Sequence, residues 1–150
     1  MTGLGVPDIA TRALVHRLRV ALKVPVYGVV DWNAWGCGVL LTYRVGSARL
    51  GLEAQRYTVD AKWLGLRTSQ VKARGLPPEC LQPLTDRDRA RAKGLLAHPW
   101  VKTRDAWRAE LSDQLDLGTK CELEAILYDN NIDAVADFIE TAITKRDWLE

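Results

Sequence analysis

One segment, Val26-Tyr27-Gly28-Val29-Val30-Asp31, constrains the fold of this chain more than any other. It is short, β-branched, apolar almost throughout, and ends on an acid. A run without polar alternation reads as a strand covered on both faces, and such strands usually lie in parallel sheets. Helical patterns stand on either side of it. Upstream, Ala10, Leu14, Leu18 and Leu22 recur every four residues over 9–23, behind Asp8 as N-cap and ahead of Pro25. Downstream, a second helical stretch follows Gly36 and runs to about Arg44, where Gly46 and Ser47 break it. A second strand falls within residues 57–64, with Lys62-Trp63-Leu64-Gly65-Leu66 at its end. Helix, strand, helix, strand is the rhythm of an α/β layer fold.

The texture changes after Leu76-Pro77-Pro78. Thr85 is placed to cap a charged helix, with Asp88 at the capping-box position. Three further helical stretches are expected at about 104–116, 120–128 and 132–144. The chain therefore divides into an α/β half, residues 1–75, and a helical half, residues 76–150, with Pro77-Pro78 serving equally as a loop inside one domain. Its 150 residues are 47% hydrophobic and 27% charged, the balance of a soluble globular protein with one core. The longest apolar runs, such as residues 24–30, are too short to span a bilayer, so no membrane partner is expected. The opening residues carry no signal-peptide pattern. Cys37, Cys80 and Cys121 are odd in number and lack zinc-site spacing, and read as reduced thiols.

Chemistry concentrates at Asp31-Trp32-Asn33-Ala34-Trp35-Gly36, where the strand ends and a helix begins. Ligands of open α/β sheets bind at the carboxyl ends of strands. Residues 31 and 33 point the same way in extended chain, and two oxygen ligands there suit a hard cation such as magnesium. The same residues also serve as helix caps, the commoner use of such spacing. A second candidate is Gly3-x-Gly5-x-Pro7-Asp8, a glycine-rich entry to a helix whose N–H groups suit phosphate, or simply a tight turn. A third is the face carrying Arg12, His16, Arg19 and Lys23, fit to track a phosphate backbone, although such faces are usually only solvated. The net charge of +2 does not by itself announce a nucleic-acid binder. Of the six tryptophans, Trp32 and Trp35 flank the candidate cation site, while Trp63 and Trp107 read as core. No Ser-His-Asp or Cys-His pattern is present.

Read as strings, six segments resemble one family in order and spacing. Thr2-Gly3-Leu4-Gly5-Val6-Pro7-Asp8-Ile9-Ala10-Thr11-Arg12 is similar to T-G-K-G-x-P-D-x-x-T-R, and residues 26–36 to a strand followed by V-D-x-D-P-x-G. Tyr43-Arg44-Val45-Gly46-Ser47 resembles Y-K-x-G-S, and Lys62-Trp63-Leu64-Gly65-Leu66-Arg67 resembles K-W-L-G-L-R. Pro83-Leu84-Thr85 with Asp88 resembles P-L-T-x-x-D, and Lys120-Cys121-Glu122-Leu123-Glu124-Ala125 resembles K-x-E-I-x-A. The family is that of the topoisomerase VI A-type proteins and the meiotic double-strand-break transesterases. The D-W-N segment looks closest to the second-type meiotic paralogues of plants and algae.

The resemblance implies a Toprim-like fold: a small parallel sheet flanked by helices, here followed by a mostly helical C-terminal part. It implies Mg2+ at Asp31 and Asn33, with Gly5, Asp8, Arg12, Arg19 and Lys23 shaping a DNA-facing edge. It implies type IIB topoisomerase-like transesterification of double-stranded DNA by a tyrosine, in a homodimer or a heterodimer with a paralogue. It further implies a topoisomerase VI B-like partner and a nuclear location. The family's nucleophilic tyrosine and its catalytic glutamate map onto no residue here, so no catalytic residue is assigned and residues 1–150 alone are expected to be inactive. Lys120 and Glu122 match the family, and a structural ion pair between them is one expectation. Asn33 stands where the family has its second aspartate, and Leu4 where it has lysine. These departures support an alternative, a non-catalytic DNA-binding and dimerisation paralogue with a vestigial metal site. A third reading, an α/β enzyme for a small phosphorylated substrate, would use residues 3–8 and Asp31 but leave the helical half without a role.

Overall fold

Asp8 opens the first helix as its short acceptor side chain allows. Its Oδ1 accepts the Thr11 N–H at 2.7 Å, and α1 (Ile9–Leu22) runs until Lys23 turns left-handed at φ 54°. The computed structural model of the chain describes residues 7–47, 55–128 and 133–150. After α1 come β1 (Val26–Val29), α2 (Ala34–Val45) and β2 (Ala61–Gly65). β1 and β2 pair in parallel, with Val26 beside Ala61 and Gly28 beside Trp63. α2 lies hard against this sheet: a Cβ on Gly28 would stand 2.1 Å from Leu40 Cδ2.

The two strands are not equally covered. β1, expected to be buried on both faces, is half-buried along its whole length. β2 is the buried strand, with Trp63 and Leu64 almost fully enclosed. The reason lies at the end of the chain. Leu149 exchanges both backbone hydrogen bonds with Trp63, at 2.9 and 3.0 Å, so β2 is flanked on both edges. Trp107 Nε1 donates to the Glu150 carbonyl at 3.0 Å, and the Arg67–Asp147 ion pair ties down the same tail.

α3 (Thr68–Arg74), not anticipated from the sequence, follows β2. Then come the short β3 (Gln82–Pro83), the helices α4 (Asp86–Leu96), α5 (Pro99–Lys102) and α6 (Asp105–Leu117), the short β4 (Thr119–Lys120) and α7 (Ala134–Thr144). The start expected for the last helix, at 132, lies outside the described residues. Thr85 and Asp88 form the reciprocal capping box that opens α4. Leu40, Leu41 and Trp63 pack with Ala92, Leu95, Val101, Trp107 and Leu111, so residues on both sides of Pro77-Pro78 share one core. Trp63 and Trp100 both lean on Trp107, with ring centroids 4.9 and 5.1 Å away. A second cluster holds Trp32, Leu66, Val71, Cys121, Ile126 and Phe138.

The helix expected over 120–128 does not form as such. β4 pairs antiparallel with β3, and Cys121 exchanges backbone hydrogen bonds with Trp32 at 2.9 and 3.1 Å. Those amides serve strands, so helical bonding begins only at Leu123 and lasts through a 3-10 segment, Leu123–Leu127. The three cysteines are free thiols, and burial pushes the Cys121 thiol up to about 11. No helix among the described residues is long and apolar enough to cross a membrane.

Candidate metal centre

β1 is extended one residue past its end, since Val30 N–H donates to Gly65 O and Leu66 N–H to Val30 O, each at 2.7 Å. Asp31 is thus the first residue beyond the paired strand. The chain turns there at once: Asn33 N–H donates back to the Asp31 carbonyl at 2.9 Å. The extended geometry that would align residues 31 and 33 does not persist across this turn. Asn33 Oδ1 instead accepts the Gly36 N–H at 2.7 Å, and Asn33 is the N-cap of α2. Its side chain is buried and committed to that bond. Gly36 is required by the same turn, because a Cβ there would lie 2.5 Å from the Asp31 carbonyl oxygen. Trp32 points inward, 2% exposed, with its indole N–H donated to Thr68 Oγ1 at 3.2 Å. Trp35 stays half-exposed at the rim, its indole N–H given to Asp88 Oδ1 at 3.1 Å.

The neighbours of Asp31 come from far along the chain. Carboxylate oxygens of Asp31, Glu122 and Glu124 all lie within 4.8 Å of one another. Asp31 Oδ1 accepts the Leu123 N–H at 2.8 Å, across 92 positions of sequence. This bond, with the Trp32–Cys121 bridge, lays the residue 121–124 strip beside the strand end. The Glu122 carboxyl is held above its ordinary range, first by burial and then by the charge of Asp31 and a hydrogen bond to it, with Lys120 opposing. Three converging carboxylates form an all-oxygen donor set, which suits a hard divalent cation such as magnesium. A cleft of about 460 Å³ opens beside them, lined in part by Glu79, Cys80, Glu122, Glu124 and Tyr128.

In the sequence, Glu122 stands out only within a motif string, and Glu124 has no distinguishing role. The K-x-E string is the available signal, but nothing local connects it to Asp31. The ion pair expected between Lys120 and Glu122 is replaced by one between Lys120 Nζ and Asp88 Oδ2, at 2.9 Å.

The candidate DNA edge divides. Gly5 lies outside the described residues. Asp8 is occupied as the α1 cap. Arg12 does not belong to an exposed basic face: it is 0% exposed, and its Nη2 donates to the Arg56 carbonyl at 2.6 Å. His16 lies 3.0 Å from the Thr58 carbonyl through Nδ1, so α1 rests its Arg12–His16 side on residues 56–58. Leu14, Leu18 and Leu22 are left exposed as a result. Arg19 and Lys23 do face solvent, around a shallow depression shared with Val20, Val24 and Pro25.

With this geometry in view, comparison with known proteins is decisive for the family. The Toprim-domain model of the topoisomerase 6 A-type/Spo11 family matches residues 1–143. The chain belongs to this family. Its parallel β1–β2 pair set among helices is the Toprim-like arrangement, in a mixed α/β fold. It is 37% identical over 150 residues to meiotic recombination protein SPO11-2 of Oryza sativa subsp. indica, covering 99% of this chain and 38% of that protein. It is 37% identical over 129 residues to meiotic recombination protein SPO11 of Homo sapiens, covering 85% of this chain and 33% of that protein. To the A3 subunit of DNA topoisomerase 6 from Oryza sativa subsp. indica it is 33% identical over 150 residues, covering 99% of this chain and 34% of the relative. The chain thus spans about a third of these relatives' length.

Proposed function

We propose that this chain is the magnesium- and DNA-binding Toprim part of a meiotic double-strand-break protein. The observation that carries this reading is the convergence of Asp31, Glu122 and Glu124 at the carboxyl end of β1, in a Toprim family whose relatives are named for meiotic recombination and topoisomerase 6. Asp31, Glu122 and Glu124 would hold the cation, and Asn33 would act on the site as the cap that orients the first turn of α2. Magnesium bound there supplies positive charge against the negative charge that builds on a phosphodiester during transesterification. Burial and the charge of Asp31 favour the protonated form of Glu122, so a cation there would compete with a proton. Arg19 and Lys23 offer a solvent-facing pair for the DNA backbone. Double-stranded DNA as substrate, a tyrosine nucleophile, a dimeric assembly with itself or a paralogue, a topoisomerase VI B-like partner and a nuclear site of action complete the proposal.

One observation favours a second reading, a DNA-binding paralogue with a vestigial site: the Asn33 oxygen is already committed to Gly36. Magnesium titration followed by tryptophan fluorescence separates the two, because Trp32 follows Asp31 directly and Trp35 lies four residues after it. A saturable change in the wild type that is lost in Asp31→Ala supports the metal-binding reading. No change in either protein refutes it and leaves the second.

A further inference from the structure

A fourth carboxylate, Asp88, bonds to side chains on the elements next in sequence to Asp31 and Glu122. Asp88 is 2% exposed. Its Oδ2 accepts the Thr85 N–H at 2.9 Å and the Thr85 hydroxyl at 2.7 Å, at the start of α4. The same oxygen accepts Lys120 Nζ at 2.9 Å, from β4. Its Oδ1 accepts the Trp35 indole N–H at 3.1 Å, from the first turn of α2. One buried group therefore clamps α4, α2 and β4 together. α2 begins three residues after Asp31, and Glu122 follows Lys120 by two. A capping box requires only Thr85 and Asp88; the bonds to Lys120 and Trp35 are additional.

We propose that the Asp88–Lys120 pair is a positioning device that sets Glu122 and Glu124 opposite Asp31 for a divalent cation, an inference that rests on the metal-binding reading above. The Asp88 carboxylate can hold this post because it remains ionised. Burial alone would raise its proton affinity, but the hydrogen bonds from Lys120 and Thr85 and the charge of Lys120 outweigh burial and hold it well below the ordinary carboxylate range. Lys120 Nζ is turned to Asp88, at 2.9 Å, rather than paired with a carboxylate of the cluster. Supporting groups of this kind fix the direction of the ligands they do not themselves contribute.

The test uses the 150-residue chain with Lys120→Met, Lys120→Arg and the double variant Asp88→Asn/Lys120→Met. Amide hydrogen exchange is read at Cys121 and Leu123, whose N–H groups bond to Trp32 O and Asp31 Oδ1, with Leu66 as the reference. Mn2+ binding is measured in parallel by electron paramagnetic resonance. Lys120→Met is expected to speed exchange at Cys121 and Leu123 but not at Leu66, and to weaken Mn2+ binding by about ten- to a hundredfold. Lys120→Arg, which keeps the charge on Asp88, restores both. Should Lys120→Met unfold because it strands a buried charge, the double variant removes both charges and gives the same two readings. Unchanged exchange at Cys121 and Leu123 overturns the proposal, as does faster exchange with unchanged Mn2+ affinity. If exchange responds while no protein, wild type included, binds Mn2+, the metal-binding reading fails and the clamp stands.

Discussion

Replacing Glu122 by glutamine should make the metal-free protein more stable and the magnesium-loaded protein less so. The carboxylates of Asp31, Glu122 and Glu124 offer oxygens within 4.8 Å of one another. Two unit charges at that separation repel by about 0.9 kcal/mol in water and by about 3.5 kcal/mol at an effective dielectric of 20. Glu122 is half-buried and Glu124 exposed, so solvent screening places the net penalty near the lower figure, about 1 kcal/mol. Glutamine removes that repulsion and keeps the shape. For a chain of this size the gain corresponds to a rise in Tm of roughly 2–4 °C. The pH dependence follows from the direction of the Glu122 shift. Its carboxyl is raised in the folded protein, so the folded state binds this proton more tightly than the unfolded chain does. The penalty is full above the raised value and fades as pH falls toward the ordinary carboxylate range, so the two proteins should converge near about pH 4. Magnesium reverses the order. A ligand at a hundred times its Kd stabilises the wild type by about 2.7 kcal/mol, and the variant, lacking one ligand, receives much less. Calorimetric scans with and without magnesium at neutral pH and at acid pH check each point. A glutamine variant less stable than wild type without metal would refute the repulsion. Equal stabilisation of both proteins by magnesium would remove Glu122 from the ligand set.

Other perturbations separate structural from functional roles. Gly36→Ala brings a methyl group to 2.5 Å from the Asp31 carbonyl and 3.0 Å from the Val30 side chain, and should destabilise the fold by about 1–3 kcal/mol in urea titrations; a neutral result would contradict the close seating of α2 on the strand end. Asn33→Ala should lose about 1 kcal/mol of stability with the helix cap, while Asn33→Asp keeps it. Calorimetric titration should find that Asn33→Asp raises magnesium affinity far less than Glu122→Gln lowers it, and a large gain would return residue 33 to the ligand set. Arg19→Glu with Lys23→Glu should weaken duplex DNA binding without altering Tm, and should make the slope of log affinity on log salt shallower by about 1.8, as read by fluorescence anisotropy. Arg12→Glu, at a buried position, should instead collapse Tm before any DNA effect can be assigned to it.

Much of the architecture was legible because its rules are local. Asp8 caps α1 through a residue three positions on, and Thr85 and Asp88 close their box over the same span. The β-branched run after Pro25 became a parallel strand, and the six motif strings pointed to the Toprim family that the chain does belong to. The failures are equally physical. In α1 the face read as basic is the one that docks, through Arg12 and His16, while the leucines are left exposed. Residues 120–128 carry helix-compatible side chains, yet the bridge to Trp32 claims the amide of Cys121 for a strand contact.

The candidate site shows the same division most sharply. The sequence alone determined that an acid, Asp31, stands where a strand gives way to a helix, and that Asn33 has the chemistry of a cap. It could not determine that Glu122 and Glu124 stand beside Asp31, that Lys120 reaches Asp88 across 32 positions, or that the C-terminal tail closes over β2. Caps, turns and periodicities act over three or four residues and are written in the chain. Convergence of like charges costs energy locally and is never favoured by neighbouring sequence. It arises here because the Trp32–Cys121 bridge and the Leu123 N–H bond to Asp31 lay the 121–124 strip beside the strand end.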